Sequence, residues 1–306
     1  MRRVLRILLC GTGWLEITAF IERALDARGI QATLLVRDAR PLSLQLADID
    51  VALPSNAPFG ATEIAAAPKL RLIQQPAAGY EGIERAAAHA RGIPVCNAPG
   101  SNVDAVAQAA LLLILGLARR YPEARRTFAA ARIGTPVGIE LGGRTLGIVG
   151  LGHTGTRLGE LAAALGMRVE GIRRPDGRAG LLSLLSRADV VSVHCPLDRN
   201  TRGLFDDEAF AAMKPGALLV NVARGAILDR DAVERTLASG RLGGVGLDVF
   251  WEEPWRPDDP LFARSDVMVL PHVAGSTVEA FARIAAVVAD NVAALRDGRP
   301  FVHRIE

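Results

Sequence analysis

The sequence predicts an α/β protein of two doubly wound parallel-sheet domains. Its 306 residues are long for a single hydrophobic core. Apolar runs of strand length alternate along it with Ala- and Leu-rich runs at helical spacing, the pattern of βαβ units. One stretch, TLGIVGLGHTGTRLGELAAALGMRVEGIRR at 145–174, compresses strand, glycine turn, helix and second strand into about thirty residues.

Composition narrows the class. Half of the residues are hydrophobic and 23% are charged, the balance of an ordinary globular protein rather than a disordered one. The net charge is only +3, and Lys69 and Lys214 are the two lysines among many arginines. Arg119–Arg120 and Arg125–Arg126 are pairs, not a basic block, so no nucleic-acid partner is expected. Cys10, Cys96 and Cys195 lie far apart with no C-x-x-C, which suggests neither a disulfide framework nor a zinc site; no metal is expected. The opening MRRVLRILLC resembles a secretory leader, but Arg6 interrupts it and no small-residue cleavage site follows. It reads as a first strand, and the expected location is cytoplasmic. The most apolar segment, 105–117, is shorter than the roughly twenty residues of a membrane span and carries Gln108, so no membrane partner is expected.

In residues 1–97, strand-like runs at 4–9, 32–36, 51–53, 70–74 and 93–96 alternate with helical segments such as 14–27 and 83–90. Gly11 and Gly13 imitate a nucleotide motif, but Glu16 stands where the third glycine would be, and an acid there opposes phosphate, so this reads as a structural turn. The loop IQQPAAGYEGI at 73–83 is small enough around Ala78 and Gly79 to present backbone N–H groups to a carboxylate; a plain tight turn is the equal alternative. Asn97-Ala98-Pro99-Gly100 is the first linker. Ser101-x-x-Asp104 opens a helix that is apolar on nearly every side over 106–117, as in a core or an oligomer interface. Residues 119–143, with Pro122, Pro136 and several glycines, read as a polar excursion that could reach a partner subunit.

Leu146 to Val149 form a buried strand, and Gly150, Gly152 and Gly155 follow in G-x-G-x-x-G spacing. Gly150 permits the tight turn, Gly152 lets backbone approach a pyrophosphate, and Gly155 lets helix pack on strand. Leu158, Leu161, Ala162 and Leu165 give the helix its apolar face, and its N-terminus offers free N–H groups to phosphate. This predicts a Rossmann-type dinucleotide-binding unit. The alternation then continues: helix near 181–186, strand 190–194, helix 206–213, strand 217–222, helix 230–239, and strands 245–249 and 267–270. The amphipathic helix at 277–295 has room to return to the first domain, with Gly275 as a hinge. The expected domains are 1–98 plus 276–306, and 99–275.

Three polar residues fall at or just past strand ends of the second domain, where open α/β sheets bind ligands. Arg224 ends LLVNVAR, Glu253 follows VGLDVF, and His272 follows VMVLP. A guanidinium can hold a carboxylate and polarise a carbonyl, an imidazole can donate a proton, and a carboxylate can orient that imidazole and favour its charged form.

The stretches NAPGSNVDAVA, TLGIVGLGHTG, LLVNVARGAILDRDAV, GLDVFWEEP and LPHVAGST, in this order, resemble the D-isomer-specific 2-hydroxyacid dehydrogenase family over almost the whole chain. The resemblance implies a Rossmann-type NAD(P)-binding domain inserted in a flavodoxin-like substrate domain. It implies Arg224 as the substrate arginine, His272 as the acid/base and Glu253 as its partner, with backbone at Ala78–Gly79 helping to hold the substrate carboxylate. It sets the cofactor against Gly150, Gly152, His153, Thr154, Gly155, Cys195, Pro196, Val222, Ala223, Asp248, Ala274 and Gly275. It also implies a homodimer through the dinucleotide-binding domain.

The residue that reads the cofactor ribose should lie at the end of the second strand of the βαβ unit, where an NAD enzyme usually carries Asp. Here Arg173 and Arg174 stand there, and Glu170 lies within the strand, on its face. Two guanidiniums suit a 2′-phosphate, so NADP(H) is expected, with NAD(H) the alternative. The chain departs from common members: Val106-Ala107-Gln108-Ala109-Ala110 replaces VAEHA, and no Trp lies between Leu15 and Phe250. The length also leaves no room for the regulatory domain of many phosphoglycerate dehydrogenases. The expected activity is reduction of a small 2-oxo acid, glyoxylate or hydroxypyruvate, to the D-2-hydroxy acid. The alternatives are a phosphoglycerate or bulkier 2-oxo acid dehydrogenase, or a non-catalytic dinucleotide-sensing protein of the same fold.

Overall fold

The side chains of β1 (Leu5–Leu9) alternate between two apolar clusters, and that alternation builds the first sheet. Leu5, Ile7 and Leu9 face one apolar cluster, while Leu8 and then Cys10 face another. The computed structural model describes residues 4–305; the opening arginines at positions 2 and 3 lie outside them. After β1 come α1 (Ile17–Asp26), β2 (Ala32–Val36), α2 (Leu42–Gln45), β3 (Val51–Leu53), α3 (Ala61–Ala65), β4 (Leu72–Gln74), α4 (Arg85–Ala90) and β5 (Val95–Cys96). A second series follows: α5 (Val103–Ala118), α6 (Tyr121–Ala129), β6 (Thr145–Val149), α7 (His153–Ala164), β7 (Arg168–Ile172), α8 (Gly177–Arg187), β8 (Val190–Val193), α9 (Asp207–Ala212), β9 (Ala217–Asn221), α10 (Arg230–Ala238), β10 (Leu242–Leu247) and β11 (Val267–Val269). The chain then returns as α11 (Val278–Asp297) and β12 (Arg304–Ile305).

These elements divide into two units, Met1–Asn102 with Ser276–Glu306, and Val103–Gly275. The first crossing falls at 102/103 rather than at the expected 98/99, because the linker stays tied to the first unit. Asn97 donates to the Ala78 carbonyl at 2.7 Å, the Ala98 N–H to the Ala77 carbonyl at 2.9 Å, and Arg283 to the Ser101 carbonyl at 2.8 Å.

The first sheet has the order β2-β1-β3-β4-β5-β12. Five strands are parallel in the flavodoxin order, and β12 closes the edge antiparallel to β5, a strand the sequence did not announce. Buried Asn291 of α11 secures this edge. Its amide donates to Gln74 at 2.6 Å and to the Val302 carbonyl at 3.0 Å, and its oxygen accepts the Val302 N–H at 2.8 Å. Thr277 caps α11 by accepting the Ala280 N–H, and Gly298, at φ 66°, ends it.

The second sheet has the order β7-β6-β8-β9-β10-β11, all parallel. It is Rossmann-type, with no strand beyond β7 among the described residues. Leu146 and Ile148 of β6, with Leu218 and Val220 of β9, pack on α5 and α7, whereas Val149, Ala217 and Leu219 face α8, α9 and α10. Each Leu or Ile buried here contributes about 1.5–3 kcal/mol of transfer free energy. The chain crosses from β7 over β6 to β8, so the switch point, where doubly wound sheets bind ligands, lies between the ends of β6 and β8.

The helix over 106–117 forms within α5, but only one side is covered; Leu112 is 52% and Leu115 39% exposed. The excursion at 119–143 is not wholly irregular, since it contains α6. Its proline falls in the first turn, where a missing N–H costs nothing. Beyond it Phe128, Ile133 and Val137 are exposed. Among the described residues no helix is long and apolar enough to cross a membrane.

Candidate active site

The Gly150 turn sits where β6 meets the end of β8. At φ +107° Gly150 occupies a conformation closed to other residues, and a Cβ on it would lie 2.5 Å from the Cys195 nitrogen. A Cβ on Gly155 would lie 2.4 Å from the Gly150 carbonyl oxygen, so the turn and α7 touch backbone to backbone. Gly152, in contrast, would meet nothing within 4 Å. It is the N-cap of α7 with no side-chain cap and no acid in the first turn, and His153 and Thr154 are the first helical residues. An open space in front of uncapped N–H groups fits a pyrophosphate.

On the β8 side the chain continues through His194, Cys195 and Pro196. His194 Nε2 and Ser192 Oγ share a hydrogen bond of 2.8 Å, and burial pushes the imidazole down to about 4, so the ring is neutral. Burial likewise pushes the half-buried Cys195 thiol up to about 11. On the β7 side Arg173 and Arg174 leave the strand tip. Arg173 donates its N–H to Asp176 at 2.6 Å, and the Arg174 guanidinium pairs with Asp198, beyond Pro196. Glu170 faces along the sheet instead, paired with Arg187 at 2.8 Å.

Three of the predicted residues converge farther along the same edge. His272 Nδ1 lies 2.7 Å from Glu253 Oε2. Burial raises the Glu253 carboxyl, but the His272 hydrogen bond and charge, the Phe250 N–H and the charge of Arg224 outweigh it, so Glu253 sits below the usual carboxylate range. Glu253 therefore lies within the field of both other groups. Its second oxygen accepts the Phe250 N–H at 3.0 Å, which fixes the carboxylate relative to β10.

Two supports hold this arrangement. At the end of β9, Asn221 accepts the Ala223 N–H at 3.0 Å and donates to the Arg224 carbonyl at 2.8 Å, bolting the turn that carries the guanidinium. Val222 is buried beside it. His272 has φ 55°, left-handed backbone that costs a non-glycine residue about 1–2 kcal/mol. The residues that follow are clamped: Asp248 accepts the Val273 N–H at 2.8 Å and the Ala274 N–H at 3.0 Å. Burial pushes the Asp248 carboxyl up to about 6 against those bonds. Ala274 is buried and Gly275 half-buried.

Asn221 as a bolt, Asp198 and His194 were missed as site residues. A buried Asn inside the apolar run LLVNV was the one available signal, since a polar side chain there needs partners. Asp198 acts through Arg174, distant in sequence, and His194 through its burial beside Ser192.

Ala78 and Gly79 belong to the first unit, in the loop beyond β4. Their N–H groups find no acceptor among the described residues. The Gly11–Gly13 turn is different: Asn56 accepts the Thr12 and Gly13 N–H groups at 3.0 and 3.4 Å, which leaves it a structural turn. Among the described residues no group of His, Cys, Asp or Glu is placed to hold a metal ion.

Residues 111–274, more than half of the chain, match the model of the D-isomer specific 2-hydroxyacid dehydrogenase NAD binding domain. A glyoxylate reductase of Korarchaeum cryptofilum is 38% identical over 257 residues, covering 79% of this chain and 77% of that one. A D-3-phosphoglycerate dehydrogenase of Mycobacterium leprae is 40% identical over 241 residues, covering 75% of this chain but only 46% of its own length. A solved structure from Thermus thermophilus superposes with a TM-score of 0.86 at 30% identity, covering 99% of this chain and 100% of the other. The motif order, the parallel sheets and these matches agree: the chain belongs to the D-isomer-specific 2-hydroxyacid dehydrogenase family, NAD-dependent oxidoreductases that act on the CH–OH group of 2-hydroxy acids.

Proposed function

We propose that this protein reduces a small 2-oxo acid, glyoxylate or hydroxypyruvate, to the 2-hydroxy acid with NADP(H) as the favoured cofactor. The observation that carries the reading is the His272–Glu253 pair, with Arg224 close enough to act on Glu253. Arg224 binds the oxo-acid and polarises its carbonyl. When bound, the nicotinamide supplies the hydride that reaches the carbonyl carbon. His272, oriented through Nδ1 by Glu253, delivers a proton from Nε2 to the carbonyl oxygen. Asp248 keeps the His272 loop in place from beneath. Within the first unit, the N–H groups of Ala78 and Gly79, which find no acceptor among the described residues, suit a carboxylate.

The cofactor phosphates would rest on the first turn of α7, at Gly152, His153 and Thr154, with Cys195, Pro196, Val222, Ala223 and Gly275 lining the rest. Arg173 and Arg174 would receive the 2′-phosphate. Glu170 is committed to Arg187 and Asp176 is turned back to Arg173, so neither carboxylate is presented to a ribose. The exposed side of α5 and α6, with Leu112, Leu115 and Phe128, and Ile133 in the segment that follows, support a homodimer through this unit.

The likeness to a phosphoglycerate dehydrogenase favours a second substrate reading, 3-phosphoglycerate. Initial rates with NADPH and NADH against glyoxylate, hydroxypyruvate, phenylpyruvate and, in the oxidative direction, 3-phosphoglycerate separate the two. Preference for NADPH with the two small acids is expected; turnover of phosphoglycerate or phenylpyruvate alone would keep the mechanism and discard the substrate.

A further inference from the structure

Asp198 lies on the loop after β8 and faces Arg174 across the end of β6. The two partners are not equally mobile. Asp198 is fixed by its own loop: Oδ1 accepts the N–H groups of Asn200 at 2.7 Å and Thr201 at 3.2 Å, and its own N–H donates to Thr201 Oγ1 at 2.8 Å. Thr201 Oγ1 in turn donates to the Pro196 carbonyl at 2.7 Å. Oδ2 is left for the guanidinium. The Asp198 side chain is 29% exposed, whereas that of Arg174 is 67% exposed on a flexible stem. Both charges act on the Cys195 thiol, in opposite senses, and the Cys195 backbone backs directly onto Gly150. The pair therefore stands at the mouth of the crevice that begins at the glycine turn.

We propose that Asp198 is a selectivity-determining residue for the cofactor: it holds Arg174 across the crevice, and a 2′-phosphate has to draw the guanidinium away from a fixed carboxylate. The inference rests on the reading that Arg174 meets that phosphate. A solvent-exposed ion pair is weak enough to be exchanged for a dianion, yet its carboxylate still lowers the gain. Asp198 thus tempers the preference for NADP(H) over NAD(H), and a ligand without the phosphate does not feel it.

The test needs no turnover. Dissociation constants of 2′,5′-ADP and of ADP are measured by calorimetry for the wild type, D198N, R174A and the double variant. Asparagine keeps the oxygen that accepts from Asn200 and Thr201, so the loop is preserved. D198N should tighten 2′,5′-ADP on the order of fivefold, about one exposed charge interaction, and leave ADP unchanged. In the R174A background the gain should vanish, the signature of coupling between the two side chains. An unchanged ratio of the two constants in D198N, equal tightening of both ligands, or a gain that survives undiminished without Arg174 would each overturn the proposal. Failure of the underlying reading looks different: R174A would then leave the ratio of the two constants at its wild-type value, whereas failure of the proposal alone keeps the loss of 2′,5′-ADP binding in R174A and removes only the gain in D198N.

Discussion

His272 Nδ1 and Glu253 Oε2 lie 2.7 Å apart, and the same carboxylate is anchored through its other oxygen to the Phe250 N–H. An imidazole held in this way has one nitrogen committed and Nε2 presented for proton transfer. Replacing Glu253 by Gln keeps the size and removes the charge paired with His272 Nδ1. We expect kcat for reduction to fall roughly ten- to a hundredfold with KM for the oxo-acid changed much less. A variant in which KM alone rises would mean that Glu253 binds substrate rather than orienting His272.

Asn221 makes a separate prediction, because it touches the Arg224 backbone and not its guanidinium. Asn221→Ala leaves the Ala223 N–H and the Arg224 carbonyl without their partner. The expected cost is about 1–3 kcal/mol of stability, together with a rise in KM for the oxo-acid as Arg224 loses its fixed starting point. Urea denaturation and steady-state kinetics on one preparation read both. Lost stability with unchanged KM would make Asn221 a bolt for β9 only.

The strands were legible in the sequence because a parallel sheet covered on both faces calls for short, nearly continuous apolar runs, as in LRILL of β1 and ALLVN of β9, which are buried at almost every position. The glycine turn was legible because a left-handed Gly150 and the close approach of Gly155 exclude any side chain. What escaped is informed by distant partners. Strand β12 is two residues whose order comes from β5 and Asn291. Helix α6 hid behind Pro122, which tolerates a first turn, and behind an apolar set that the described residues leave exposed. Asp198 stands in a polar loop that is unremarkable until the fold brings Arg174 to it.

His194 makes stability depend on pH. Its folded value, about 4 against an ordinary 6.5, means that the fold favours the neutral ring. Above pH 6.5 the stabilisation is fully present. As pH falls from there towards 4 the unfolded chain takes up the proton first and stability is lost, with no further loss below. Asp248, raised to about 6, acts in the opposite sense over an overlapping window, so the effect is best read as a difference. Chemical denaturation of the wild type and His194→Gln at pH 4.5, 5.5 and 7 should show the wild type gaining on the variant by on the order of 2 kcal/mol across the series. Parallel profiles would show that His194 is hydrated in the fold.

The apolar side of α6 and the segment beyond it predict the oligomer. Phe128 is 86% and Ile133 fully exposed, an unusual load for a monomer. Replacing both by Ser should convert a dimer into a monomer at micromolar concentration in light scattering, with the far-UV spectrum unchanged. A wild type that is monomeric at that concentration would contradict the dimer.

In the proposed mechanism His272, set by Glu253, protonates the carbonyl of a small 2-oxo acid as it is reduced. The most direct measurement is glyoxylate-dependent oxidation of NADPH by the wild type and by His272→Ala at saturating concentrations of both. Steady turnover by the wild type and a loss of about a hundredfold or more in the variant, with NADPH still bound, are expected. Equal rates in the two proteins would contradict it.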